Sequence, residues 1–123
     1  MFQFNFERLD VWQNARELNN SIYKVCAELP LDTRDYLLDE IKTSSLLVGT
    51  KLAYGSAMFE MGEKAESTSE SLENLMRLLN LLTILHDLAY MDEVAYNGFR
   101  NKIFGIQKQL KALRNKQVET MNN

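Results

Sequence analysis

Few side chains in this sequence have the type and spacing that catalysis requires. The chain has one histidine, His86, and one cysteine, Cys26. Next to Asp87, His86 suits a surface position near a helix end, and Cys26 lies in an apolar stretch that suits a buried, inert thiol. There is no nucleophile elbow, Gly-rich phosphate loop or Walker pattern. We therefore expect no enzyme, no catalytic residue and no cofactor.

Five glutamates follow one another at spacings of three or four residues, which places them on one face of a helix. They are Glu60, Glu63, Glu66, Glu70 and Glu73. Di-iron sites in helical bundles use Glu-x-x-His pairs, but Thr83 stands three residues before His86. We expect no metal site. The stripe is either a solvated face or a surface that meets a basic helix of a neighbouring subunit.

Basic residues concentrate near the end of the chain. After Phe99 there are six basic residues and one acid, Glu119, which gives this segment a net charge of +5. Residues 1–98 hold eight basic and sixteen acidic residues, a net charge of −8. Such asymmetry could create a local phosphate-binding surface, although a solvated helix face would give the same pattern. The candidate nucleic-acid-binding residues are Arg100, Lys102, Lys108, Lys111, Arg114 and Lys116.

The acidic and basic side chains lie on four stretches of sequence that have apolar residues at intervals of three and four. This spacing predicts a helix for each stretch. We expect a first helix over residues 6–28, which Pro30 ends. Asp32 caps the second helix, Asp35 lies in its first turn, and the helix ends near residue 54. After a break at Gly55 and Ser56, a third begins near Met58 and ends before a turn at residues 90–92. Asp92 caps the fourth.

Short connections make consecutive helices antiparallel neighbours, so the sequence predicts an all-α, up-down-up-down four-helix bundle. We expect a single domain over residues 1–123, with a polar, frayed tail at residues 117–123.

The third helix has a wider apolar arc than one bundle core requires. Its expected core stripe is Met61, Ala65, Thr68, Leu72, Leu75, Leu79, Leu82 and Leu85. Four further apolar residues lie off that stripe, and we expect them to face another subunit. They are Met76, Leu78, Leu81 and Ile84.

Composition limits the classes of protein further. The chain has 123 residues, of which 46% are hydrophobic and 25% charged, as in a globular protein. A net charge of −3 argues against a nucleic-acid binder that is basic overall. A single cysteine allows no intrachain disulfide. Charged residues interrupt the most apolar stretch, which argues against a membrane span. The N-terminal residues do not resemble a signal peptide. We expect a cytoplasmic protein with no membrane span.

Several segments resemble one bacterial family. The run FERLDVWQNA at residues 6–15, with IY at 22–23 and LP at 29–30, is similar to the "L-x-V-W-x-x-A … I-Y … F-P" pattern of the 23S rRNA intervening-sequence proteins, also called S23 ribosomal proteins. Residues 40–42 and 52–55 are similar to the family's "Q-I-R-R-A … N-I-A-E-G", and residues 87–90 to its "L-G-Y" turn. The resemblance covers nearly the whole chain.

This resemblance implies a left-handed four-helix bundle that forms homo-oligomers, including pentameric rings. It does not imply an enzymatic activity. The accessory variability determinants of diversity-generating retroelements resemble the same bundle and bind nucleic acid and a reverse transcriptase through basic outer surfaces. The chain departs from the family pattern at three positions. Thr43 replaces the second Arg of the family's basic pair, Lys51 replaces the family's Asn, and Tyr54 replaces its Glu.

Two functions of different classes remain open. The first is binding of RNA or DNA through the basic face of the fourth helix, as the resemblance suggests. The second is a homo-oligomeric protein-interaction scaffold, in which the same surface recognises an acidic protein and nucleic acid plays no part.

Overall fold

The computed structural model describes residues 1–29 and 36–122. A 3-10 helix at Asn5–Arg8 precedes four α-helices. These are α1 at Asp10–Glu28, α2 at Tyr36–Ser56, α3 at Met61–Asp87 and α4 at Glu93–Asn122. The described residues contain no strand, so the all-α prediction is confirmed. The expected roles of Pro30, Asp32 and Asp35 lie outside the described residues.

Contacts between α3 and α4 show that these helices run antiparallel. Thr68, near the start of α3, donates a hydrogen bond to Gln117 Oε1 near the end of α4 at 2.8 Å. Thr83, near the end of α3, lies 2.7 Å from the Tyr96 hydroxyl near the start of α4. Residue numbers therefore rise along one helix while they fall along the other.

The other neighbouring pairs follow the same rule. In α1 and α2, Asn19 Oδ1 accepts a hydrogen bond from Ser45 at 3.1 Å, whereas Tyr23, further along α1, meets Lys42, which is earlier in α2. In α2 and α3, Ser71 donates to the carbonyl of Val48 at 2.7 Å, whereas Lys51, further along α2, pairs with Glu70, which is earlier in α3. The helices alternate in direction through the bundle, as the short connections predict.

One hydrophobic core runs between the four helices. It is formed by residues at intervals of three and four on each helix, which is the spacing that keeps side chains on one face. Burial of each large aliphatic side chain contributes about 1.5–3 kcal/mol to folding. The largest fully buried side chains are Leu18, Ile22, Ile41, Leu75, Leu78, Leu82, Leu85, Ile103 and Leu110.

Helices α2 and α3 approach closely near one end of the bundle. A Cβ atom built on Gly55 would lie 2.7 Å from Ser67 Cβ, closer than two carbons can pack. Gly55 is therefore a contact residue inside α2, not the helix break that the sequence suggested, and α2 continues to Ser56. The third helix accordingly begins at Met61 and not near Met58.

The connection between α3 and α4 combines two local motifs. Ala89 has a φ of 64°, and its N–H donates to the carbonyl of His86 while Tyr90 N–H donates to that of Leu85. This pattern is a Schellman motif, which ends α3. Asp92 Oδ1 accepts a hydrogen bond from Ala95 N–H at 2.8 Å, so the prediction that Asp92 caps α4 is confirmed.

The two ends of the chain differ from expectation. Leu9 is extended, which separates the 3-10 helix from α1, so the first α-helix begins at Asp10 instead of residue 6. The tail that we expected to be frayed continues α4 to Asn122, because Gln117 bonds to Thr68 and Val118 is partly buried.

Candidate nucleic-acid interface

All six basic candidates lie on α4 with exposed side chains. They are Arg100, Lys102, Lys108, Lys111, Arg114 and Lys116. Within the described residues, none of them lies within ion-pair distance of a carboxylate. Their charges are therefore available to an external anion.

The six side chains do not form one face, however. Lys102 and Lys111 are nine residues apart, and nine residues of α-helix turn the chain through about 900°, which places the two on opposite sides. The structure accordingly divides the basic surface between two grooves. The expectation of a single basic face on α4 is wrong in this respect.

The first groove lies between α1 and α4 and includes Lys102 and Lys108. Its floor contains Leu18 and Ile106, and its volume is about 480 Å³. Asn14 of α1 donates to Gln109 Oε1 of α4 at 3.0 Å. We call it the α1–α4 groove.

Beside this groove, the Lys108 ammonium lies 4.4 Å from the centre of the Phe104 ring, which is 57% exposed. Phe104 was not among the candidate residues that the sequence indicated. The signal that could have found it is the i, i+4 spacing of Phe104 and Lys108, which makes them neighbours on a helix surface.

The second groove, which we call the α3–α4 groove, includes Lys111 and Arg114. Its volume is about 670 Å³, and Glu73 lies on its α3 side. Arg114 Nε donates to Ser69 Oγ at 2.7 Å, which orients the guanidinium. The remaining guanidinium donors can bind an oxyanion.

Arg100 belongs to a polar cluster at the other end of α3 and α4. Its guanidinium donates to the Tyr96 hydroxyl at 3.0 Å, and the Thr83 hydroxyl lies 2.7 Å from the same oxygen. Hydrogen bonding by Thr83, followed by that of Arg100, lowers the pKa of Tyr96 below its usual value of 10.0. The His86 ring stacks on Tyr96 with centroids 4.4 Å apart. His86 therefore has a packing role here.

The glutamate stripe of α3 is mostly solvated. Glu63, Glu66 and Glu73 are exposed, and Glu70 forms an ion pair of 2.7 Å with Lys51 of α2. Within the described residues, no group of three or more His, Cys, Asp or Glu side chains could hold a metal ion.

The four expected interface residues of α3 have different environments. Leu78 is fully buried inside the chain, so its assignment to a subunit interface is wrong. Met76 and Leu81 pack against the core at its edges, and Ile84 is 40% exposed. The buried stripe of α3 lies between these edges and includes Leu78, while Leu72 and Leu79 are only partly buried.

Cys26 is buried, and burial raises the pKa of its thiol although Lys42 opposes the shift. None of the helices in the described part of the chain has the length and hydrophobicity of a membrane-spanning segment.

Comparisons with known proteins find one matching family and a solved structure with a similar fold. The family model of the 23S rRNA-intervening sequence proteins matches residues 7–112. A crystal structure of a protein of unknown function from the S23 ribosomal protein family of Bacteroides thetaiotaomicron is similar, with a TM-score of 0.79 and 15% identity. The similarity covers 85% of this chain and 97% of that one. No curated protein matches the chain.

Proposed function

Because the chain belongs to the family of 23S rRNA-intervening sequence proteins, we propose that it is a non-enzymatic, self-associating protein of the cytoplasm that binds RNA or DNA. One observation carries the proposal: the six basic side chains of α4 are all exposed, and within the described residues no carboxylate pairs with them. The resemblance to the accessory variability determinants, which bind nucleic acid through basic surfaces, supports the same function.

The two basic grooves provide different contacts to a nucleic acid. Lys111 and Arg114 at the α3–α4 groove offer donors for phosphate oxygens, and Ser69 orients the guanidinium. Lys102 and Lys108 at the α1–α4 groove offer positive charge. The exposed Phe104 ring, which contacts Lys108, offers a surface on which an unpaired base could stack. A single-stranded or looped RNA suits this combination better than a regular duplex.

Self-association would strengthen such binding. The segment before residue 99 is acidic, so one chain offers only a local basic surface. An oligomer repeats that surface, and several weak contacts on one nucleic acid act together through effective concentration. We therefore expect affinity to depend on assembly as well as on the charges of α4.

The outer side of α3 is the surface that we propose for self-association. Leu81 is partly buried, Ile84 is 40% exposed and Leu88 is 56% exposed. Their spacings of three and four place them along one edge of the helix end. This patch replaces the expected set that contained Leu78. A closed ring, such as the pentamers that the resemblance suggests, requires one such patch to meet a different patch of the next copy.

The binding proposal is tested by measuring affinity for a fluorescent ribosomal RNA fragment and for mixed-sequence DNA at several salt concentrations. We expect the logarithm of the binding constant to fall linearly with the logarithm of salt concentration. The double variant Lys111→Glu/Arg114→Glu should bind at least about tenfold more weakly, with a salt slope that is shallower by about two.

The matched control is Lys24→Glu/Arg77→Glu, which changes the net charge equally at two exposed sites outside α4. Equal weakening by the control would show that only net charge matters and would contradict the proposed interface. Absence of binding at low salt by a stable oligomer would favour the protein-interaction scaffold, and capture of an acidic protein that survives nuclease treatment would then support it.

Self-association is tested by light scattering coupled to size exclusion. Ile84→Glu should reduce the mass in solution while circular dichroism stays unchanged. Val94, which is 84% exposed, provides the control Val94→Glu. A monomeric wild-type protein at micromolar concentration, or equal effects of the two variants, would contradict the proposed surface.

A further inference from the structure

A cavity at one end of the bundle has the composition of a small-molecule site. It lies where α1 begins, α2 ends, α3 begins and α4 approaches its end, and it opens to solvent on one side. Its volume is about 190 Å³. An apolar cavity of about 150 Å³ in another protein binds benzene, so this volume suits a compact ring or branched chain.

The apolar part of the wall comes from three leucines on three different helices or their flanks: Leu9, Leu52 and Leu113. Small-molecule sites are usually mostly apolar with a few polar groups at fixed positions. The polar groups here include the Lys64 ammonium, the Thr68 hydroxyl and the Gln117 amide.

Lys64 supplies the positive charge of the cavity. Its Nζ donates to the carbonyls of Ser56 at 3.2 Å and of Gly55 at 3.5 Å, and both of these residues also line the cavity. An ammonium has three donors, so one remains for a ligand. Within the described residues, no carboxylate lies within ion-pair distance of Lys64. The second lysine of the wall, Lys51, is neutralised by Glu70.

Gln117 supplies further donors. Its Oε1 accepts a hydrogen bond from Thr68 at 2.8 Å. The two N–H groups of its amide are then the donors on this side of the cavity. A carboxylate accepts hydrogen bonds and carries the charge that an unpaired ammonium prefers.

From this arrangement we propose that the end cavity binds a small organic carboxylate with a compact apolar group, with the carboxylate at Lys64 and Gln117 and the apolar group among Leu9, Leu52 and Leu113. The site is separate from both basic grooves of α4, so the proposal does not depend on nucleic-acid binding.

The test uses benzoate as the probe and benzamide as its neutral isostere, each titrated into the full chain labelled with 15N. Amide signals of residues 51–56, 64–68 and 113–117 should shift on a saturable curve. We expect benzoate to bind at least about tenfold more tightly than benzamide, since hydrogen bonds to a charged group are the stronger kind. Inorganic phosphate alone should shift these signals less than benzoate does.

Two variants test separately how the charge of Lys64 and the volume of the cavity contribute to binding. Lys64→Met should remove the preference for benzoate over benzamide, whereas the control Lys24→Met, at an exposed site on α1, should keep it. If Lys64→Met loses its fold because it no longer caps α2, Leu113→Phe provides a second test: it fills the cavity and should weaken both probes.

Three results would overturn the proposal. The first is equal affinity for benzoate and benzamide, and the second is unchanged binding by Leu113→Phe. The third is the absence of saturable shifts at these residues up to the solubility limit of benzoate.

Discussion

The hydroxyl oxygens of Thr83 and Tyr96 lie 2.7 Å apart and join the end of α3 to the start of α4. Arg100 donates to the same Tyr96 oxygen, and both partners stabilise the phenolate. This short polar chain is held at the edge of the core, because Tyr96 is only 8% exposed. It connects one of the basic residues of α4 to the packing of the bundle.

Replacing Thr83 by Val should raise the pKa of Tyr96, because the first of the two phenolate hydrogen bonds is lost. The loss of one such bond also lowers the free energy of unfolding by about 1 kcal/mol. The titration of Tyr96 can be followed by 13C NMR of labelled tyrosine. Thr50→Val is a suitable control, since Thr50 is exposed and bonds only within its own helix turn. An unchanged Tyr96 titration in Thr83→Val would contradict the assignment.

The same shift predicts a dependence of stability on pH. The pKa of Tyr96 is lower in the folded chain than in the unfolded one, so its contribution is fully present above the unfolded value near 10. The contribution is lost as the pH falls through the folded-state pKa. Urea unfolding between pH 8 and pH 11 should therefore show wild type gaining stability relative to Thr83→Val. Parallel curves for the two proteins would be inconsistent with this linkage.

Ala89→Gly should stabilise the fold by about 1 kcal/mol. Ala89 has a φ of 64°, a left-handed conformation that a Cβ atom disfavours and that Gly adopts readily. The control Ala112→Gly, on the exposed side of α4, should destabilise by about 1 kcal/mol because that position is an ordinary helix interior. Thermal unfolding of both variants checks the opposite signs. The same sign for both would show that the strain at Ala89 is negligible.

Gly55→Ala should destabilise the bundle by about 1–3 kcal/mol, because the added methyl group would lie 2.7 Å from Ser67 Cβ and force α2 and α3 apart. Gly105→Ala provides the contrast: nothing lies within 4 Å of its added methyl group, and Ala is the better helix former by about 0.5–1 kcal/mol. Urea titration of each variant measures the difference. If both substitutions stabilise the chain, the close approach at Gly55 is absent in solution.

Leu78→Ala should lower the free energy of unfolding by about 2–5 kcal/mol, the usual effect of a cavity in a core. Ile84→Ala should change it by no more than about 0.5 kcal/mol under conditions where the protein is monomeric, because Ile84 is 40% exposed. Denaturant unfolding of the two variants distinguishes the core face of α3 from its outer face. Similar values for both would mean that α3 is rotated relative to its neighbours.

Cys26 should react with a thiol reagent at least about tenfold more slowly in the native chain than in urea, since burial both shields the thiol and raises its pKa. The chain has no other cysteine, so the rate reports on this site alone. A chain with Cys26→Ala and Ala112→Cys gives the rate of an exposed thiol on the same fold. A native rate equal to that exposed rate would show that the end of α1 opens readily.

Periodicity in the sequence was sufficient to predict the helices and most of the core. On α4, the spacings of three and four through Tyr96, Phe99, Ile103, Ile106, Leu110 and Leu113 predict one face. The first five of these residues are buried, and Leu113 is partly buried at the edge of the core. The Asp92 cap also followed from local chemistry, because a side chain that caps a helix end needs partners only a few residues away. Such features are local, so the sequence contains the whole of the interaction.

The local sequence does not determine which face of α3 is buried. Leu78 and Leu79 both fit a helical repeat, since the apolar arc is broad enough to contain two overlapping stripes. Which stripe becomes buried depends on where α2 and α4 pack, and the structure buries Leu78 completely while Leu79 stays partly exposed. For the same reason the sequence assigned Leu78 to a subunit interface, when it belongs to the core.

The basic residues of α4 also separate what the local sequence determines from what depends on the tertiary structure. The sequence by itself determined that six basic residues are on α4 and that the helix is amphipathic, because both depend on residue type and spacing within one segment. Only the tertiary structure decided that Lys102 and Lys111 line different grooves, and that Leu9, Lys64 and Gln117 meet around one cavity. A groove or cavity needs walls from separate helices, and packing brings together residues that are far apart in the chain.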